Sequence, residues 1–339
     1  MALTYAQGHI SAVSVELKRP VGAICHMLAG QAPDAALAII GALFSVCCQA
    51  HRIAGARALE QARGVRIPEY ECRRRARLLA VERLRESLLR LLQDWHYPGA
   101  TEKNAREGIR RCQRLLTLLQ SPSDKTPDGV EQAIVGLRNW SQALRCTPAQ
   151  EQRWLVNRVQ RWRDIELGPA VPGLMPELTS ELVGSLGNEQ QNGFCSAPML
   201  NGQSRHSGPA VAGAEATAAD EVIGKALGAL LAQTDQALAQ LAEPGLESTP
   251  SANRGQDGVG YGWALTARGW LLHRVELDGE RVGRWQILAP TDWNFHTDGI
   301  VRQRLMGVKI ERNRAEALAR DLILSIDPCV GFGVTRHDA

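Results

Sequence analysis

The sequence predicts an α+β protein that is mainly helical and carries one small antiparallel sheet. Leucines recur at steps of three and four through the first half of the chain, between proline and glycine breakers, as on one face of a helix. Near residue 280, two runs rich in valine, isoleucine and tryptophan flank an Asp-Gly pair, which favours a hairpin turn. The 339 residues, 44% hydrophobic, are enough to bury a core.

The first segment, residues 1–167, is predicted to be mainly helical. A loose alternation over residues 4–18 predicts a short strand that ends at Arg19-Pro20. Pro33-Asp34 opens a helical pattern that runs to residue 62 and stops at Gly64. Further helices are predicted over 71–95, 105–120, 129–145 and 149–165.

The second and third segments differ sharply in composition. Residues 168–220 are rich in Gly, Pro, Ser, Ala and Asn, with little periodicity, which predicts a long irregular and partly mobile connection. In residues 221–339 we expect a helix over 221–242, β runs at 262–265 continuing at 270–276, and another β run at 281–288. A last helix is predicted over 314–323, before the tail.

Charge and composition exclude several classes of function. A net charge of +3, from 39 basic and 36 acidic residues, does not predict a nucleic-acid or phospholipid surface. Residues 1–9 lack the basic and apolar regions of a secretion signal, so a cytoplasmic protein is expected. The longest apolar run, 35–50, is shorter than the ~20 residues that cross a bilayer, so no membrane span is expected. Eight cysteines without a CxxC pair favour reduced thiols over a disulfide framework.

Two separated segments resemble metal-binding motifs of the nickel-iron hydrogenase large subunit. The tail Asp327-Pro328-Cys329-Val330-Gly331-Phe332 resembles DPCxxCxxH, with Phe332 at the second cysteine and Thr335 at the histidine. Residues 42–51 resemble RxCGxCxxxH, with Phe44 at the first cysteine, Cys47 at the second, and His51 at the histidine.

Two more stretches strengthen the resemblance. Gln7-Gly8-His9-Ile10 matches EGHL, except that glutamine replaces the acid. Ala267-Arg268-Gly269 and the later run Pro290-Thr291-Asp292-Trp293-Asn294 match PRG and PTxWN. None of these matches is specific alone, but their order along the full chain supports the resemblance. It is good at both ends and poor from about residue 112 to residue 242.

The chain is thus identified as similar to hydrogenase assembly proteins of the HupK/HoxV type, which resemble a large subunit with defective cysteine motifs. The resemblance implies the large-subunit-like helical core with a small antiparallel sheet. It also implies a non-catalytic scaffold that transiently holds iron with cyanide and carbon monoxide ligands. The sequence ends four residues after Thr335, where enzyme precursors carry a longer extension, which fits a protein that is never processed.

The resemblance assigns roles to single residues. Cys47 corresponds to a bridging thiolate and Cys329 to one that binds nickel only, whereas Phe44 and Phe332 remove two soft ligands, so no nickel is expected. Gln7 cannot change charge near neutral pH and cannot relay protons, so hydrogen activation is not expected. His51, four residues after Cys47, and Arg268 are expected beside the metal and its diatomic ligands.

Several alternatives stay open on the sequence alone. A cysteine on an apolar helix is often structural, and a histidine or Arg-Gly pair can serve packing or a turn. Cys48 is a rival to Cys47 but points about 100° away around a helix, and His337 is not assigned to a metal. The protein could instead be a metal-free large-subunit mimic that binds maturation chaperones, or a hydrogenase with altered ligands. The implied partners are a small β-barrel chaperone, iron-cyanide assembly proteins and the large subunit precursor.

Overall fold

The computed structural model describes residues 1–98, 101–120, 127–188, 193–245 and 258–338. The α+β, mainly helical prediction is confirmed, because helices dominate and the strands form two small sheets. The chain divides into two compact units. One comprises Met1–Arg66, Val159–Leu227 and Thr249–Ala339, and the other Ile67–Arg158 and Gly228–Ser248. These units differ from the linear segments 1–167, 168–220 and 221–339, because the first segment contributes to both.

The helices and strands of the described residues follow in chain order. The strands are β1 Ala2–Ala6, β2 His9–Ser14, β3 Val259–Thr266, β4 Gly269–Asp278, β5 Arg281–Leu288 and β6 Thr335–Asp338. The helices are α1 Val21–Leu28, α2 Pro33–Leu43, α3 Cys48–Arg63, α4 Glu69–Leu89, α5 Glu102–Gln120, α6 Pro127–Leu144, α7 Pro148–Val159, α8 Ser180–Gly187, α9 Ala219–Ala242, α10 Pro290–Asn294, α11 Ile300–Leu305 and α12 Ala315–Ile326. A π-helical turn, Arg90–Asp94, extends α4.

The N-terminal segment forms a hairpin, and the prediction of one strand over 4–18 is wrong. β1 and β2 pair antiparallel around Gln7 and Gly8, whose φ angles of +47° and +83° suit a tight two-residue turn. β6 pairs parallel to β1 on its other edge, giving the order β2-β1-β6. The tail therefore lies beside the first strand.

The predicted helix over 34–62 is also wrong in one respect, because it is broken into α2 and α3. Phe44 has an extended backbone, and Cys47 adopts a left-handed conformation with φ +56°, which cannot continue a right-handed helix. Neither proline nor glycine marks residues 44–47, so local sequence gives no signal of the break. The break places Cys47 at the N-terminus of α3.

The second sheet is antiparallel with the order β3-β4-β5. The run at 262–265 and its expected continuation at 270–276 are separate strands, joined by Ala267 and Arg268, while the Asp278-Gly279 hairpin is confirmed. α3 packs directly on β3, because Gly260 and Gly262 have no side chain. A Cβ on either glycine would lie 1.9 Å from a carbonyl oxygen of α3.

The connection over 168–220 is mostly irregular but is packed rather than loose. It contains α8 and two short 3-10 turns, and residues 189–192 lie outside the described part. Four of its leucines are buried with tryptophans and leucines from the second sheet and α10. The cluster comprises Leu174, Leu182, Leu186, Leu200, Trp263, Leu272, Leu288 and Trp293. Among the described residues, no helix is long and apolar enough to cross a membrane.

Candidate metal centre

Cys47 and Cys329 line one cavity of about 200 Å³. Cys47 is buried at the N-terminus of α3, and Cys329 is half-buried, three residues after α12 ends. The Cys329 sulfur lies 3.0 Å from the hydroxyl oxygen of Thr291. Two sulfurs from opposite ends of the chain therefore face the same space.

Arg268 joins the two cysteine segments. It lies in the turn between β3 and β4, is 4% exposed, and donates a hydrogen bond from Nη1 to the Cys47 sulfur over 3.3 Å. Its Nε lies 3.5 Å from a carboxylate oxygen of Asp327, two residues before Cys329. A permanent cation beside a sulfur favours the thiolate, which is the form that binds metals.

A second buried cation, which sequence reasoning missed, also lines the cavity. Arg19 forms an ion pair with Asp292, and the two side chains are 9% and 7% exposed. Burial opposes the charge on Arg19, but Asp292 and the thiols of Cys329 and Cys47 raise its pKa overall. Burial raises the pKa of Asp292, and Arg19 opposes this shift. Arg19-Pro20 marks the end of the first β pattern and Asp292 lies in the PTxWN-like stretch, but no local pattern pairs the two residues.

His51 lies on the wall of the cavity without approaching the exterior. Its ring stacks on Phe44, with centroids 3.7 Å apart, and its Nδ1 lies 3.0 Å from Nε2 of His273. Burial, then His273 and Arg19, lowers the pKa of His51 far below its usual value. The imidazole is therefore neutral at physiological pH.

The remaining predicted positions lie elsewhere. Gln7 is exposed at the first hairpin turn, Phe332 is half-buried, and Thr335 is exposed on β6, and none of the three lines the cavity. Of the two phenylalanines that stand at cysteine positions of the motifs, Phe44 lines the cavity and Phe332 does not. The thiol of Cys48 bonds the carbonyl of Gly41 over 3.5 Å and does not line the cavity, and His337 is exposed on β6.

The donor set of the cavity is small. Most of the other lining side chains are apolar, among them Leu43, Val46, Leu271, Ala289 and Val330. Among the described residues, no group of three or more His, Cys, Asp or Glu side chains could hold a metal ion. All eight cysteines are free thiols. The arrangement suits a metal that brings most of its own ligands.

Comparison with known proteins agrees with the motif evidence. The family described as nickel-dependent hydrogenase matches residues 179–335. The chain is 40% identical to the hydrogenase expression/formation protein HupK of Azotobacter vinelandii, covering 96% of this chain and 95% of that protein. It is 26% identical to the hydrogenase expression/formation protein HoxV of Cupriavidus necator, covering 98% and 94%.

Solved structures support the fold. The nickel-iron-selenium hydrogenase of Desulfovibrio vulgaris Hildenborough aligns with a TM-score of 0.66 and 16% identity, over 96% of this chain and 94% of that one. The reduced, active enzyme of Desulfomicrobium baculatum aligns with a TM-score of 0.61 and 15% identity, over 96% and 95%. With the close relatives above, these findings place the chain in the family of hydrogenase expression/formation proteins of the HupK/HoxV type, which is related to the hydrogenase large subunit.

Proposed function

We propose that this protein is a non-catalytic scaffold in the maturation of nickel-iron hydrogenase. Its cargo is an iron that carries cyanide and carbon monoxide, held until it is transferred to the large subunit. The observation that supports this proposal is the cavity shared by Cys47 and Cys329, with Arg268 hydrogen-bonded to the first sulfur.

The chemistry of the cavity fits this cargo. Two thiolates can hold one ferrous iron whose other positions are filled by strong-field diatomic ligands, so the protein needs no third ligand. The guanidinium of Arg268 offers fixed donors that suit a cyanide nitrogen, and the apolar walls suit carbon monoxide. A volume of about 200 Å³ greatly exceeds the roughly 30 Å³ of one water molecule, so several diatomic groups can be accommodated.

Nickel insertion and hydrogen activation are disfavoured by two features. Phe44 occupies the cavity where the family's first cysteine would supply a soft ligand, and an aromatic ring has no lone pair for nickel. Gln7 replaces the family's acid and is exposed at a hairpin turn. We therefore propose an accessory role rather than a catalytic one.

The proposed partners belong to the maturation machinery. The relatives are called hydrogenase expression/formation proteins, and we extend that role to this chain. The donors of iron would be the iron-cyanide assembly proteins, assisted by the small β-barrel chaperone. The acceptor would be the large subunit precursor, whose shape this fold resembles.

The test is anaerobic co-expression with the maturation proteins, followed by iron analysis and infrared spectroscopy of the purified protein. We expect cyanide and carbon monoxide bands that are lost in Cys47→Ala and in Cys329→Ala. Cys48→Ala is the matched control, because this adjacent thiol does not line the cavity, and it should keep the bands. Bands absent from the wild-type protein, or unchanged in both cysteine variants, would contradict the scaffold and favour the metal-free mimic.

A further inference from the structure

A line of three buried rings leads from the second sheet to the cavity. The indole Nε1 of Trp285 donates to Nδ1 of His273 over 3.1 Å, and Nε2 of His273 lies 3.0 Å from Nδ1 of His51. Trp285, His273 and His51 are 2%, 0% and 4% exposed. His273 on β4 is directly opposite Ile287, so Trp285 on β5 is its diagonal neighbour.

The hydrogen positions follow from the types of donor and acceptor. An indole nitrogen can only donate, so Nδ1 of His273 must accept and carries no hydrogen. The hydrogen of His273 is then on Nε2 and is donated to His51, whose Nδ1 must accept in turn. The hydrogen of His51 is left on its own Nε2.

We infer that Trp285, acting through His273, fixes the tautomer of His51, so that His51 offers a hydrogen-bond donor rather than a metal-binding lone pair. Nδ1 is engaged by His273, and Nε2 already carries a hydrogen. Neither nitrogen is then a metal ligand. Trp285 and His273 are positioning residues, because they act only through His51.

The purpose of this arrangement rests on the proposed function. Thiolate sulfur and bound cyanide both carry negative charge and accept hydrogen bonds. His51 therefore presents an N–H donor to such a cargo before it arrives. No proton has to shift between its two ring nitrogens when the cargo binds. The stacked ring of Phe44 holds the imidazole in one plane from the other side.

The tautomer can be measured in the full-length, iron-free protein. Nitrogen-15 NMR of histidine-labelled protein distinguishes a protonated ring nitrogen from an unprotonated one. The signals of His51 and His273 are assigned by their loss in His51→Asn and His273→Asn. We expect the hydrogen on Nε2 of both residues in the wild-type protein.

The variant Trp285→Phe removes the indole donor to Nδ1 of His273 while keeping an aromatic ring. Both histidines should then become mixtures of tautomers, with a smaller chemical-shift difference between their two nitrogens. Trp263→Phe is the matched control, because Trp263 is equally buried in the same sheet and, within the described residues, its indole nitrogen has no hydrogen-bond partner. It should leave both tautomers unchanged.

Two outcomes would overturn the inference: a hydrogen on Nδ1 of either histidine in the wild-type protein, or unchanged tautomers in Trp285→Phe. The first outcome is tested by the wild-type spectrum alone, so it can be decided even if a variant fails to fold. Because no iron is present, the result is separate from the infrared test. If the infrared spectrum lacks cyanide bands but the NMR spectrum shows the expected tautomers, the scaffold proposal is rejected and this inference holds. If the bands are present but a hydrogen is on Nδ1 of either histidine, this inference is rejected and the scaffold proposal holds.

Discussion

Arg268 donates a hydrogen bond to the sulfur of Cys47 across 221 residues of sequence. Three local features produce this contact. The helix break places Cys47 at the N-terminus of α3, and the glycines of β3 allow α3 to pack closely against that strand. The turn between β3 and β4 carries Arg268. The same guanidinium lies beside Asp327, which leads to Cys329. One side chain therefore contacts the sulfur of Cys47 and the segment that leads to Cys329.

Replacement of Arg268 by lysine should weaken iron retention about tenfold or more, the usual effect of losing a group that orients a metal ligand. Lysine keeps the charge but lacks the planar fork that can contact sulfur and carboxylate together. The measurement is iron retained against a chelator, with the infrared bands as a second readout. Arg274→Lys is the control, because this buried β4 arginine pairs with Gln286 and Glu276. Equal retention in both variants would contradict the role of Arg268.

Phe44→Cys should create a three-thiol cavity that binds a divalent soft metal such as nickel or zinc. Phe44 lines the cavity beside Cys47, so the new thiol would add a ligand where the ring stood. Metal analysis after equilibrium dialysis would give the bound ratio in the variant and in the wild-type protein. Phe332→Cys is the matched control, because Phe332 does not line the cavity and its replacement should bind no additional metal. Similar metal content in both variants would contradict the assignment of Phe44.

Several elements and both cysteines of the cavity could be predicted from the sequence. The helices with strong leucine stripes and the Asp278-Gly279 hairpin follow from spacing and turn chemistry, and motif order led to both cysteines of the cavity. The break after α2 was invisible because it depends on α3 packing against glycines about 200 residues later. Gln7-Gly8 contained a turn signal that the alternation over residues 4–18 obscured.

Contacts between distant side chains were the least predictable. The ion pair of Arg19 and Asp292 joins residues 273 positions apart, and each carries a charge that composition alone would place on the surface. The His51 and His273 pair joins residues 222 positions apart. Such pairs are determined by how whole helices and strands pack together, and the local spacing of residues in the sequence does not indicate that packing.

Stability should fall as the pH drops below the usual histidine range. Burial, then Arg304, lowers the pKa of His206 to about 3, and burial lowers that of His273 to about 3. Between about pH 3 and 6.5 the unfolded chain binds a proton at each position that the native state does not, so stability rises with pH there. Each such histidine contributes up to about 1.4 kcal/mol per pH unit.

His206→Leu should therefore reduce the slope of unfolding free energy against pH by up to about 1.4 kcal/mol per pH unit. Urea unfolding between about pH 5 and pH 6 measures this slope, within the window set by the two pKa values. His206 is 1% exposed and, within the described ranges, both its ring nitrogens lack hydrogen-bond partners, so leucine leaves no partner unpaired. His337→Leu, at an exposed position of β6, is the control. An unchanged slope in His206→Leu would contradict the neutral buried histidine.

Gly262→Ala should destabilise the protein by about 1–3 kcal/mol or more, the usual cost of forcing extra atoms into a packed interior. The added Cβ would lie 1.9 Å from the carbonyl oxygen of Ala54, so α3 must move away from β3. Because Cys47 begins α3, the same displacement should lower iron retention. Gly228→Ala is the control, since no atom lies within 4 Å of its added Cβ in α9 and alanine favours helix by up to about 1 kcal/mol. Urea unfolding of the two variants should shift in opposite directions, and a neutral Gly262→Ala would show that α3 does not depend on this close approach.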